Sequence, residues 1–330
     1  MTSKHPFFTE RLDLMNKLLL SFLLLWPFTV FAEDDAGTSA FVTLGTIGGP
    51  MGEPSRSQPA NALINGNEIY FVDAGDGATV QLVEAGLPLR AVQGVFLSHL
   101  HFDHTAGVMG ILGLRMQINA NRPLHIYGPP GTQAFIDGLL AAMAPAMAAA
   151  YGFPGQPWTT DVQVTELVQG STVRLPNLTV TAAENSHYSY PAGSPEAGQF
   201  KSLSYRFDLP DRSIVYTGDT GPSEALIELA SGADLLVSEM FDLERAMARV
   251  RETSPNLPAA ALGPMKRHFA EHHLSPRQVG EMAAAAKVAA VVITHMVPSI
   301  TTPREEQFYI GEIHKYYSGE VLIADDLERF

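Results

Sequence analysis

Short apolar runs recur along the chain, and each ends in a turn-forming or polar cluster. Phe41 to Thr46 runs into Ile47-Gly48-Gly49-Pro50, and Ala62-Leu63-Ile64 and Glu68 to Asp73 flank Asn65-Gly66, a hairpin signal. Val92 to Leu97 is apolar enough for a buried strand. Val108 to Asn119 has helical spacing, and Pro123 to Tyr127 predicts a strand closed by Gly128-Pro129-Pro130-Gly131. Thr132 is placed to cap a helix running into Leu140. Further on, strands are predicted over 178–183, 203–209, 213–216, 235–239 and 289–294. Pro276 to Val288 reads as an amphipathic helix, with Ser275 as N-cap and Pro276 at its first position.

Two stretches break this rhythm. Lys17 precedes an apolar core, Leu18 to Trp26, that is too short to span a bilayer comfortably, and Val30-Phe31-Ala32 offers a cleavage site. Residues 1–32 therefore read as a secretory signal, with Met15 a better start than Met1, and 33–330 as one domain in the periplasm or outside the cell. The second stretch is 141–158, rich in Ala and Met. It reads either as an apolar helical flap, with Tyr151, Phe153 and Trp158 lining a pocket, or as plain core packing.

The chemistry concentrates just after Leu97. Ser98-His99-Leu100-His101-Phe102-Asp103-His104-Thr105-Ala106-Gly107 has the form H-x-H-x-D-H. His99 and His101 leave an extended backbone on one face, and Gly107 helps to turn the loop inward. Imidazole and carboxylate together suit zinc and similar ions. Four such ligands exceed what one tetrahedral ion takes from a single loop, so two ions are expected. Cysteine is absent, which excludes thiolate ligands and disulfides. The net charge of −14, with no basic run, disfavours a nucleic acid partner.

The H-x-H-x-D-H stretch resembles the signature loop of metallo-β-lactamase fold hydrolases. The resemblance implies an α/β fold, a four-layer αββα sandwich with a dinuclear metal site at one edge. It also supplies the ligands that spacing alone does not. His187 would join His99 and His101 on one ion, His295 would join Asp103 and His104 on the other, and Asp219 in Thr217-Gly218-Asp219-Thr220 would bridge both. Two zinc ions are expected, with manganese or iron also tolerated. They would acidify a water held between them and so provide hydroxide as nucleophile. Asp73-Ala74-Gly75 resembles the family's D-x-G element, a carboxylate beneath the metal loop or a simple turn.

Within the superfamily, Glu271-His272-His273-Leu274-Ser275 resembles an element of the ribonuclease Z-like branch, which includes certain arylsulfatases. His273 fits its histidine better than His272 does. Asp103 and His273 are the candidate catalytic residues, His273 as proton donor to the leaving oxygen. Asp234 and Glu239 are candidates for orienting ligand imidazoles or for satisfying backbone. His5, His125, His268 and His314 read as surface or core.

Ribonuclease Z itself would imply tRNA precursors as substrates. The signal segment, the acidic charge and the 31 residues between His187 and Asp219, too few for the tRNA-gripping arm of that enzyme, count against it. The secreted arylsulfatases resemble the chain in length, in signal segment, in Gly128-Pro129-Pro130-Gly131-Thr132 and in Thr294-His295-Met296-Val297-Pro298. The expected activity is hydrolysis of a small sulfate or phosphate ester, an aryl sulfate first. A phosphodiesterase, lactonase or β-lactamase of the same fold is the alternative, and a periplasmic metal-binding protein without turnover a further one. No membrane contact is expected after signal cleavage, and a homodimer is compatible with the sequence.

Overall fold

The structure is a computed structural model. It describes residues 39–330 apart from 51, 119, 121, 150–160, 189, 191 and 192. Residues 1–32, expected as a secretory signal, and Tyr151, Phe153 and Trp158 lie outside the described residues.

Two sheets of seven strands carry the fold. The first takes β1 (Ala40–Gly45), β2 (Ala60–Asn65), β3 (Glu68–Ala74), β4 (Val92–Phe96), β5 (Leu124–Gly128) and β6 (Val162–Glu166), side by side in chain order. The second takes β7 (Thr172–Leu175), β8 (Leu178–Glu184), β9 (Leu203–Asp208), β10 (Ser213–Tyr216), β11 (Leu235–Phe241), β12 (Ala290–Val297) and β13 (Glu320–Ile323). The last strand, β14 (Glu328–Arg329), returns to the first sheet beside β1.

Side chains along a strand alternate between faces, and that alternation separates three cores. Tyr70, Val72 and Phe96 meet Tyr205, Phe207 and Val237 between the sheets. Phe71, Val95 and Leu97 turn to the outer face of the first sheet, with Ile111, Leu112 and Ile136. Val215, Leu236 and Val291 do the same on the second sheet, with Val279, Met282 and Ile313. The result is the expected αββα sandwich. Phe96 stands at its centre, stacked on Tyr127 at 4.6 Å and edge-on to Tyr205 and Phe207 at 5.6 and 5.5 Å. Such pairs add roughly 0.5–1.5 kcal/mol each beyond area burial.

The predicted hairpin of β2 and β3, the antiparallel pair β9 and β10, and the capping box of Ser275 with Gln278 all form. Three local expectations need correction. The helix after β5, Thr132–Ala149, runs well past Leu140, with Pro145 inside it, so the Ala- and Met-rich stretch begins as helix. Met143 is buried and Met147 packs against the outer core, which favours packing over a flap there. Thr132 does not cap: its hydroxyl donates to the Pro129 carbonyl at 2.6 Å. Strand β12 does not stop at Thr294 but continues to Val297, and His295 stands in it with φ of +43° where the pairing with β11 shifts register. Gly107 lies, as expected, in the turn between the helices Phe102–Thr105 and Val108–Gln117, and it allows close approach there, since a Cβ would lie 2.3 Å from the Gly75 carbonyl oxygen.

Candidate metal centre

Strand ends from both sheets meet at one edge. From the first sheet come Asp73 and the loop after β4. From the second come His187 after β8, Asp219 after β10, Glu239 in β11 and His295 in β12.

Asp73 anchors the loop. Its Oδ1 accepts from the Ser98 backbone N–H at 2.7 Å, and its Oδ2 from Ser98 Oγ, His104 Nδ1 and Tyr216 OH at 2.7, 2.7 and 2.8 Å. Asp73 therefore acts on backbone and on a candidate ligand at once, as its D-x-G context implied. Its φ of +57° is a left-handed value that costs a non-glycine residue about 1 kcal/mol. Four hydrogen bonds hold it there.

The same bonds fix tautomers. The Ser98 hydroxyl gives its proton to Asp73, so His99 Nδ1–H must donate to Ser98 Oγ, 3.0 Å away. His104 Nδ1–H donates to Asp73, and His187 Nδ1–H to the His272 carbonyl at 3.1 Å. All three rings keep a lone pair on Nε2.

Those lone pairs converge as two sets around Asp219. His101 Nδ1 lies 3.0 Å from His99 Nε2 and 3.2 Å from His187 Nε2, and Asp219 Oδ2 stands 3.9 and 4.0 Å from the latter two. On the other side Asp219 Oδ1 is 3.2 Å from His104 Nε2 and 3.1 Å from His295 Nε2. Asp103 Oδ2 completes this set at 3.5 and 3.7 Å from the same two nitrogens. All seven residues expected as ligands are thus brought together, in the two sets expected, with one Asp219 oxygen turned to each.

The donors suit a divalent cation. Ligand atoms around a tetrahedral zinc lie roughly 3.3 Å apart, close to the separations within each set. His104 Nε2, His295 Nε2 and Asp219 Oδ1 are buried and have no hydrogen-bond partner, a costly state that a cation would relieve. Charge also fits. Burial lowers the pKa of His99 and His101, and that of His187 to about 3, which keeps these rings neutral for ligation. At His104 and His295 burial is outweighed by Asp219 and Asp103, which raise both. Burial opposes ionisation of the two carboxylates, but the facing imidazoles hold Asp219 well below the usual range and Asp103 at about 2.

His273 is buried beside the two sets and donates from Nδ1 to Glu239 Oε2 at 2.7 Å. Burial works against its charge, but the Glu239 carboxylate outweighs that and holds it above its usual range. Glu239 also accepts, through Oε1, from the N–H of Thr220 at 2.6 Å, next to Asp219 in the same turn. Glu239 therefore orients His273, and it stands 4.0 Å from His295 Nδ1. Asp234 orients no imidazole; it accepts from Ser213 N and Oγ at 2.7 and 2.8 Å.

A cavity of about 540 Å³ opens over the centre. His101, Asp103, His187, Asp219, His273 and His295 form its floor, and Ile47, Phe241, Val250, Leu257, Met265, Phe269 and Val297 its apolar walls. Much of that wall comes from two helices, Leu243–Thr253 and Ala259–Glu271, that sequence patterning did not predict. His268 also lines the cavity and is neither plain surface nor core. Its i, i+4 spacing to His272 was the signal available. Arg249 is the sole Lys or Arg on the wall among the described residues, and its guanidinium already pairs with Glu53.

Residues 70–296 match the Beta-lactamase superfamily domain. The chain belongs to that superfamily. A ribonuclease Z of Mycobacterium sp. (strain KMS) is 28% identical over 295 residues, covering 87% of this chain and 94% of its own length. The crystal structure of human tRNase Z, short form, superposes with a TM-score of 0.60 at 19% identity, covering 88% of this chain and 98% of that one. Zinc-bound PqqB from Methylobacterium extorquens gives 0.60 at 17%, covering 88% and 99%. The chain is thus a metallo-β-lactamase fold, metal-dependent hydrolase, and its His and Asp groups could hold metal. No arylsulfatase is among these relatives, and the ribonuclease names run against the expectation of no nucleic acid partner.

Proposed function

We propose that the protein hydrolyses small, singly charged esters of phosphoric or sulfuric acid that carry an aryl or other apolar group. The observation that carries this reading is the cavity itself, where a histidine and carboxylate floor meets a wall of Phe241, Phe269, Met265 and Leu257. Its volume suits a small ligand. Phosphodiesters come first, because the mycobacterial relative bears the name of a nuclease. Aryl sulfates are the second reading, because they share the tetrahedral centre, the single charge and the apolar group.

An RNA-sized substrate fits less well. Polynucleotide binding draws on several free cations, whereas Arg249 is alone on the wall and paired with Glu53. The stretch between His187 and Asp219 is 31 residues long, of which β9 and β10 take ten and the helix Pro195–Gln199 five, which leaves little chain for an arm.

The residues divide the work. His99, His101 and His187 would hold one divalent ion, and Asp103, His104 and His295 another, with Asp219 between them; zinc suits the donors, and manganese or iron would also be accepted. When bound, such ions supply Lewis-acid polarisation of the ester and an acidified water. Asp103 is steadied by the Gly49 N–H, which donates to its Oδ2 at 3.1 Å. His273, locked through Nδ1 by Glu239, gives its other proton to the departing oxygen. Phe241 stacks on the His273 ring at 4.8 Å and brings the apolar wall up to that proton. The wall holds the aryl group and keeps bulk water from the leaving oxygen.

Residues 18–32 support export, with 33–330 as the mature enzyme in the periplasm or medium. Sequencing the N-terminus of the protein from fractionated cells tests this. Mature chains beginning at Glu33 are expected, and an intact leader in the cytoplasm would remove the proposal. Turnover of an aryl phosphodiester, an aryl sulfate and a tRNA precursor by the zinc-loaded protein tests the substrate reading.

A further inference from the structure

His268 lines the cavity, and the reading above gives it no task. One of its ring nitrogens lies within 4.8 Å of ring nitrogens on both His187 and His273. Its Nδ1 is 2.6 Å from Nδ1 of His272. Two N–H groups cannot face each other at that distance, so one of these nitrogens donates and the other accepts.

The far side of His272 decides which. Its Nε2 is buried and has no hydrogen-bond partner. An N–H left unpaired in the interior is rarer and costlier than an unpaired lone pair. His272 therefore carries its proton on Nδ1 and donates it to Nδ1 of His268. His268 is left with its own proton on Nε2.

The backbone of His272 serves the same centre, since its carbonyl accepts from Nδ1 of His187. The helix Ala259–Glu271 delivers the arrangement, because His268 and the residue four positions on fall on one side of it. His268 packs at 5.6 Å between ring centres from both His187 and His273.

We propose that His272 fixes the tautomer of His268, and that the Nε2–H of His268 binds a non-bridging oxygen of the substrate ester beside His273. His268 is then a substrate-binding residue and His272 a positioning residue. The proposal rests on the reading of the centre as an ester hydrolase. No ligand to a metal is reassigned by it.

The test uses the zinc-loaded chain with bis(4-nitrophenyl) phosphate as substrate and inorganic phosphate as competing ligand. His268→Ala is expected to lower kcat/KM about 10- to 100-fold, the scale of a hydrogen bond to a charged group. The inhibition constant for phosphate should rise in step, while bound zinc, by elemental analysis, stays at the wild-type ratio. His268→Gln, which restores an N–H at similar reach, should recover most of both losses. Nitrogen-15 spectra of the wild type should show the His268 proton on Nε2, and His272→Phe should let it spread to Nδ1.

Equal losses in His268→Ala and His268→Gln would overturn the proposal, as would a fall in bound zinc or a wild-type His268 proton on Nδ1. If the wild type cleaves neither phosphoric nor sulfuric esters, the functional reading fails. Nitrogen-15 spectra recorded with and without inorganic phosphate still decide the role of His268 in that case, since its Nε2 signal should shift on phosphate binding and stay unmoved if it binds no oxyanion.

Discussion

The floor and the wall of the cavity are built on opposite principles. The centre beneath the floor is tied by hydrogen bonds: His99, His104 and His187 each spend one ring nitrogen on Ser98, Asp73 or a carbonyl and keep the other for the centre. Asp73 alone gathers four hydrogen bonds. The wall is held by packing. Phe241 lies on Phe269 at 4.8 Å, and Met265 and Leu257 fill in around them. Hydrogen-bonded ligands tolerate almost no displacement, whereas apolar contacts adjust at a cost of roughly 1–3 kcal/mol. The floor is thus where the superfamily's shared chemistry resides, and the wall is where this chain can differ from its relatives.

Substitutions should separate the two. Asp219→Ala removes the carboxylate both sets share, so metal content should collapse and turnover should fall on the order of 1000-fold or more; elemental analysis alongside kinetics checks it. Retained metal in that variant would sink the two-set assignment. His273→Ala should leave metal in place and lower kcat about 100-fold or more for a poor leaving group, with a smaller loss for 4-nitrophenolate, which needs no proton. Equal losses for both leaving groups would contradict its part as proton donor.

Asp73→Asn is the intermediate case, since it touches no substrate and no cavity. Metal affinity, by competition with a chelator, should weaken about 10- to 100-fold, because His104 and Ser98 lose their charged acceptor. Phe269→Ala acts on the wall alone. KM for an aryl ester should rise about tenfold while KM for a methyl ester and the bound metal hold steady. A uniform loss across both esters would show that the wall does not select the apolar group.

Legibility in the sequence follows the same division. Short apolar runs such as Glu68 to Asp73, buried almost throughout, exposed the strands, and His99, His101, Asp103 and His104 announced the centre, because ligand chemistry restricts residue type and spacing together. The wall is marked only as helix. Leu243, Ala246, Met247 and Val250 recur at i, i+3, i+4 and i+7 behind Asp242 as N-cap, a helix signal that says nothing of a cavity, and helix Ala259–Glu271 contains Pro264, which blurs its own pattern. Any apolar side chain of suitable size would serve there, so no pattern singles out Phe241 or Met265. His268 is a related case: its i, i+4 spacing to His272 means a shared helix face only once a helix is assigned there, and the fold alone sets it against His187 and His273. The register shift that leaves His295 with a positive φ inside β12 depends on pairing with β11, a long-range contact that local spacing does not encode.

The most direct test of the whole account is one set of assays. The zinc-loaded protein would be given an aryl phosphodiester, an aryl sulfate, a β-lactam and a tRNA precursor under the same conditions, with kcat/KM measured for each. The account predicts turnover of the small aryl esters, the phosphodiester foremost, with the tRNA precursor and the β-lactam well behind. Efficient cleavage of the tRNA precursor, with the small esters left intact, would contradict it.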